Sequence, residues 1–382
     1  MFERFGPWSS ALNDGPSTRL STFWKRRLAM LASARSARLG RSRRDWLKLG
    51  AAGAAAGALP TLRFAPAGAP VPDDARPAAG GKIYARVIFI HPAPGGPRAD
   101  MGLFAIDPTT GAFERFPYLD GGIGFSLFSL SRDGRKLALL RYGNEHGTRD
   151  ADLGSVWTLD TEGRGEMRRV ADLVGPVSWS PDGRQLIVVK FLSKPGEGMR
   201  TETWLFNADG SGATRLPIPE ADAVEDWSPD GRWLVTVSDR RPPRDRGNQL
   251  YVMRPDGTEQ RRLTEGPSLN VFPRFSPDSR RIAYHRQDRD GDSIWVVDID
   301  GSGRRLLFRE ENDVFPGHCC WSPDGQSLAC TIQQWQRDEK GRKFLGGGDS
   351  HPPRLVIIDA EGKDRRTLEL PHAMAIEWPT WR

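Results

Sequence analysis

The chain has no Gly-x-Ser-x-Gly sequence, no pair of histidines at close metal-ligand spacing, few cysteines, and no hydrophobic run long enough to cross a bilayer. The first absence removes the strand–turn–helix elbow that presents a nucleophilic serine in α/β-hydrolases. The second removes a metal site written into the linear sequence. The one uncharged apolar stretch, Leu49 to Leu59, is made only of Leu, Gly and Ala. It is too short and too weakly hydrophobic for a stable span, which needs about 20 apolar residues. No cysteine lies near it, which rules out a lipoprotein-type signal. The three cysteines are Cys319, Cys320 and Cys330.

A basic excess is also missing from most of the chain. The formal net charge is +6, but residues 1–69 hold twelve Lys or Arg against three acids, a balance of +9, which leaves −3 for the remainder. A body of that charge offers no concentrated basic face for nucleic acid. Glycine (42) and proline (30) are plentiful, and they fall at regular turns, as in a turn-dense all-β protein.

Those turns repeat. Trp179-Ser180-Pro181-Asp182-Gly183 recurs as Trp227-Ser228-Pro229-Asp230-Gly231, Phe275-Ser276-Pro277-Asp278-Ser279 and Trp321-Ser322-Pro323-Asp324-Gly325, with a worn copy at Leu130-Ser131-Arg132-Asp133-Gly134. The marker serines step by 49, 48, 48 and 46 residues, a period that indicates a repeat architecture. Proline presets φ for a type I turn, Asp suits the next position, and Gly takes the left-handed geometry after it. An apolar strand leads in and another leads out, so each copy is a β-hairpin. A second hairpin shares the period. Its first strand ends at Asp107, Asp160, Asn207, Arg254, Asp298 and Asp359, and its second is Arg-rich.

Each period therefore holds four short strands: A into the Ser-Pro-Asp-Gly turn, B out of it, C into the second turn, and D. The chain enters on a B-like strand at 83–90 and ends on an A-like strand at 375–382. These features predict an all-β six-bladed β-propeller of four-stranded antiparallel blades over residues 82–382, the ring closed by the C-terminal strand completing the first blade. Residues 66–81, rich in Pro, Ala and Gly, read as a disordered linker.

Trp-Ser-Pro-Asp-Gly followed by apolar-apolar-Asp-x-x-Gly resembles the WD40-like repeats of TolB-type propellers, and the resemblance covers essentially all of residues 82–382. TolB proteins also carry an α/β domain ahead of the propeller, for which this chain leaves no room. The resemblance therefore implies the fold more firmly than the role. Prolyl-oligopeptidase-type peptidases carry similar propellers ahead of a catalytic domain, whose serine elbow is missing here. Residues 1–65 resemble a twin-arginine export signal with a long basic n-region: Arg43-Arg44, then Leu47, Lys48 and the Ala/Gly-rich segment. The competing reading is a short amphipathic or buried helix. Export implies a periplasmic or extracytoplasmic monomer with no membrane span once the signal is removed.

Connectivity sorts the loops. The A–B and C–D turns share one face and are short. The B–C and D–A connections share the other and vary in length, so binding is expected there. All six histidines fall on or near that face. His91, His146, His318 and His351, with Asp150, Asp152 and Asp349 nearby, are candidate ligands for a divalent cation, against the simpler reading that polar residues avoid strands. Asp288-Arg289-Asp290-Gly291-Asp292 lacks the glycine and glutamate of a calcium loop and reads as a solvated turn. Glu225, Asp226, Arg274, His318 and Glu377, just ahead of the marker aromatics, are candidate channel-lining residues. The marker tryptophans Trp157, Trp179, Trp204, Trp227, Trp295 and Trp321 recur in phase, which predicts that they fill gaps between blades. Pairing Ser322 with Ser327 across the turn sets Cys319 opposite Cys330, a possible disulfide in an exported protein, while a slip of one residue sets Cys320 opposite Cys330. Buried thiols are the alternative.

The function expected from these features is a non-enzymatic scaffold that binds an envelope protein or glycan, with no cofactor. The alternative is a metal-assisted polysaccharide lyase or hydrolase that uses the histidine face and one divalent cation.

Overall fold

The computed structural model describes residues 81–91, 98–116, 125–142, 154–161, 167–172, 175–192, 199–240, 247–310, 314–337, 343–345, 352–370 and 373–382. The signal region with Arg43 and Arg44 and nearly all of the linker lie outside them.

Six antiparallel sheets form a ring of blades, and among the described residues there is no helix. Blade 1 is built, from the inside outwards, of Ala373–Trp381, Ile83–His91, Arg98–Ile106 and Phe113–Arg115. The inner strands of blades 2 to 6 are Phe125–Leu130, Val177–Trp179, Asp222–Trp227, Leu269–Phe275 and Val314–Trp321. Blade 6 has a fifth strand, Lys343–Leu345, paired with the extended end of Ser327–Arg337.

The period of about 48 residues is the length of one blade because each blade buries both faces. Leu137–Leu140 and Leu186–Val189 are runs at or near zero exposure, unlike the alternating pattern of a sheet wetted on one side. Separate apolar clusters fill the gaps between blades 2 and 3, 3 and 4, 5 and 6, and 6 and 1. One larger cluster spans the 1–2 and 4–5 gaps and includes Phe272 and Trp378 at the centre.

The A–B turn has a specific hydrogen-bond plan. In blade 3 the Ser180 hydroxyl donates to Asp182 Oδ1 at 2.6 Å and accepts the Gln185 N–H at 2.9 Å, while Asp182 Oδ1 also accepts the Arg184 N–H at 3.0 Å. The same arrangement holds at Ser131/Asp133, Ser228/Asp230, Ser276/Asp278 and Ser322/Asp324. This is why serine and aspartate are kept in all five copies, including the one with Arg132 in place of proline and the one with Ser279 in place of glycine. Among these five turns only Ser279 takes the positive φ, 62°, without being glycine.

The ring closes through the C-terminal strand. The backbone N–H and C=O of Lys82 pair with those of Arg382, and Ile83 to Phe89 pair with Trp381 back to Ala373. Arg86 and Glu377 face each other in this register and form an ion pair, with Arg86 4% exposed.

The marker aromatics divide in two. Trp179 Nε1 donates to the Ser129 carbonyl of the preceding blade at 2.9 Å, and Trp321 Nε1 to the Arg274 carbonyl at 3.1 Å, so these two span gaps between blades. Trp157 and Trp295 lie under Arg141 and Arg286 of their own blades, and Trp295 also packs against the cluster that spans the 4–5 gap. Being on C strands, they stand further out, where a blade's own arginine can cover them.

Candidate functional site

Inner strands normally alternate in and out, but those of blades 1, 2, 4, 5 and 6 each carry a register shift part-way along. A bulge adds one unpaired residue and re-aims its side chain. In three consecutive blades the residue three before the marker position is aromatic or imidazole: Phe272 in blade 5, His318 in blade 6 and Trp378 in blade 1. Phe272 and Trp378 both adopt φ of 56°, a conformation rarely taken by bulky side chains and tolerated where surrounding structure enforces it.

The three rings meet at the axis. His318 stands 4.2 Å from Phe272 and 3.7 Å from Trp378 between centroids, and Phe272 meets Trp378 edge to face at 5.7 Å. Phe272 is 4% and Trp378 7% exposed. Together they make an aromatic plug across the channel. The chain of rings continues from Phe272 to His285, from His285 to Phe315 at 4.8 Å, and from Phe315 to Trp335 at 5.6 Å. Trp335 lies on the extended B strand of blade 6, towards the B–C/D–A face.

His285 is buried on this side of the plug. Its Nε2 is 2.8 Å from Asp292 Oδ1, which also accepts Gln287 Nε2 at 3.0 Å. Among the described residues Nδ1 has no partner. With Nε2–H donating to the carboxylate, Nδ1 is left as an acceptor, the arrangement in which a carboxylate fixes a histidine tautomer. The Asp288–Asp292 segment is thus a tight hairpin turn whose last carboxylate points into the protein, while Asp288 is held by Arg286 and Arg309.

On the same face of blade 4, Asp222 is fully buried. It accepts Ser238 Oγ at 2.5 Å and Arg240 at 2.9 and 2.6 Å. Burial raises its pKa above the ordinary carboxylate value despite these partners, so desolvation outweighs the ion pair.

The candidate lining residues take different places. His318 is in the plug. Glu225 is buried with its carboxylate 3.9 Å from Arg274 Nη1. Asp226 bridges blades 4 and 5, accepting the Phe275 N–H at 2.9 Å and Ser178 Oγ of blade 3 at 3.4 Å. Arg274 Nη1 donates to the Glu225 carbonyl at 3.0 Å. Glu377 lies on the inner strand but is turned to Arg86. Of the candidate metal ligands, His146 and His351 lie outside the described residues, as do Asp150, Asp152, Asp349 and the side chain of His91. Among the described residues no group of three or more His, Cys, Asp or Glu converges as a metal site. Phe272 and Trp378 escaped the sequence reading, although both precede proline and sit three residues before the marker position, a signal the repeat phase contains.

Cys319 lies opposite Cys330, and Cys320 opposite Ala329. All three are free, buried thiols. Burial pushes Cys320 up to about 12, and Cys330 is raised by burial and by its hydrogen bond with Cys319.

No protein-family model matches the chain. Over 148 residues, 37% of this chain, it is 30% identical to the Tol-Pal system protein TolB of Paramagnetospirillum magneticum. Over 121 residues, 30% of this chain, it is 31% identical to that of Roseobacter denitrificans. The matched stretches cover 32% and 26% of those relatives' own length. The crystal structure of TolB from Acinetobacter baumannii superposes with a TM-score of 0.58 at 19% identity, over 79% of this chain and 66% of that one. The chain carries a TolB-type β-propeller. Among the described residues of this propeller no helix is long and apolar enough to cross a membrane.

Proposed function

We propose that this TolB-type propeller is an exported, extracytoplasmic scaffold that binds a protein partner of the cell envelope through its B–C/D–A face. The observation that carries the reading is the TolB likeness, found both in sequence and in fold. The twin-arginine-like leader supports the compartment. The aromatic chain from Trp335 to Trp378 supports the face, since rigid aromatic side chains are the usual anchors of a binding surface.

A photocrosslinking amino acid at Trp335, in the protein expressed in its own cell, tests this. One discrete adduct with an envelope protein is expected, and none from the same probe at Arg184 on the turn face. No adduct at Trp335, or equal labelling from both positions, overturns it.

A second reading rests on His285. A buried imidazole fixed by Asp292, with Nδ1 open, is suited to bind a divalent cation or take a proton. It would serve a metal-assisted lyase or hydrolase acting on an extracytoplasmic polysaccharide. Elemental analysis of the purified protein separates the two: stoichiometric divalent metal, lost in His285→Ala and His318→Ala, favours the enzyme.

A further inference from the structure

The connection from blade 4 to blade 5 runs through a buried polar cluster on the B–C/D–A side. Asn248, Gln249, Thr264, Ser268 and Asn270 are each 3% exposed or less. Gln249 opens the C strand of blade 4, with Asn248 just before it. Asn270 stands at the head of the inner strand of blade 5, two residues before Phe272 of the plug. The two blades touch at Gly247, where a Cβ would stand 1.7 Å from the Ser268 carbonyl oxygen. Only glycine allows that approach.

Most of the cluster is satisfied internally. The Thr264 hydroxyl donates to Gln249 Oε1 at 2.8 Å and accepts the Leu250 N–H at 2.9 Å. Gln249 Nε2 donates to the Gly266 carbonyl at 2.8 Å. Asn270 turns both its backbone N–H and its Nδ2 to one acceptor, the Asn248 carbonyl, at 3.2 and 2.8 Å. Nδ2 also meets the Ser268 carbonyl at 3.1 Å and Gln249 Oε1 at 3.3 Å. These oxygens fix the amide, because turning it over would set its own oxygen against all three.

Two atoms are left over. Asn270 Oδ1 is an acceptor and Asn248 Nδ2 a donor. Both are buried, and neither has a hydrogen-bond partner among the described residues. A polar atom buried dry is costly, and folded proteins satisfy nearly all of them. The residues that carry the two atoms already touch, yet the atoms do not bond each other.

We propose that one internal water molecule lies between Asn248 and Asn270 in the seam of blades 4 and 5, accepting from Nδ2 and donating to Oδ1. Water fits the site in size and kind. Both atoms are closed to bulk solvent, which leaves a larger ligand no entry. Both side chains are neutral amides, which give a metal ion no compensating charge. Buried waters serve such groups, with two to four bonds each. Turning the Asn248 amide would only exchange its role, since water both donates and accepts. The water completes a bonded path from blade 4 to the strand that bears Phe272.

A high-resolution crystal structure of the purified protein tests this. One ordered peak is expected about 2.7–3.2 Å from both Asn270 Oδ1 and Asn248 Nδ2. Asn248→Leu, close to asparagine in size, removes one of the two partners and should lose the peak. Asn248→Ser is the second variant, should the leucine perturb folding, and its hydroxyl should keep a peak on Asn270 Oδ1. The proposal fails if the wild-type density between the amides is empty, if the two amides bond each other directly, or if the peak persists unchanged in Asn248→Leu.

Discussion

Phe272 and Trp378 meet edge to face at 5.7 Å, although the whole of blade 6 separates their strands. Each is held at a φ of 56° in a bulge of its inner strand. Trp378→Ala removes one wall of the plug. It is expected to cost about 3–5 kcal/mol, the usual range for truncating a buried tryptophan. The urea midpoint measures this, and a loss below about 1 kcal/mol would show the plug to be structurally dispensable.

Ring closure depends on Arg86 and Glu377. Glu377→Ala leaves a guanidinium, 4% exposed, without its carboxylate in the closing sheet. Because Glu377 is itself 20% exposed, we expect a loss of about 2–3 kcal/mol, at or below the lower end of the range for a broken buried pair. The double substitution Arg86→Met with Glu377→Leu should recover most of it, because two apolar side chains carry no buried charge. Denaturant titration of the three proteins reads the difference, and a double variant weaker than Glu377→Ala would contradict it.

The C–D turns are expected to contribute to the acid limb of stability. In blades 1, 3, 4, 5 and 6 the turn aspartates, Asp107, Asp209, Asp256, Asp300 and Asp359, accept backbone N–H groups, with added hydroxyl bonds in blades 3, 4 and 5. These bonds favour the charged form and hold each carboxyl below its ordinary value of 3.8. The folded pKa is depressed, so the stabilisation is complete above the unfolded value and is lost as pH falls through the folded one. The Tm should therefore drop below about pH 4. Replacing all five by asparagine should flatten that limb, and an unchanged acid profile would assign it to other groups.

The facing thiols Cys319 and Cys330 should link in protein exported to an oxidising compartment, leaving Cys320 as the single thiol. Native protein at neutral pH is expected to resist alkylation, because burial holds Cys320 at about 12 and the thiolate is the reactive form. In denaturant without reductant one equivalent of reagent should react, at Cys320. Three equivalents would show the pair unlinked.

The repeat determined most of the architecture by itself. Its period gave the blade length. The surplus of one C–D hairpin over the A–B turns, with Trp381 as the unmatched marker, gave six blades and the closing strand. Turn chemistry is local, so Ser180, Pro181, Asp182 and Gly183 could be read without knowing what lies across the ring. The pairing of Cys319 with Cys330 was legible as one of two registers for the same reason. The axis was not legible. Which inner-strand residue points inward depends on a bulge, and a shift of one position exchanges the two faces of a strand. That is why Glu377 turns to Arg86 while Trp378 meets Phe272. Only closure of the six blades brings residues more than 200 positions apart within reach of one another.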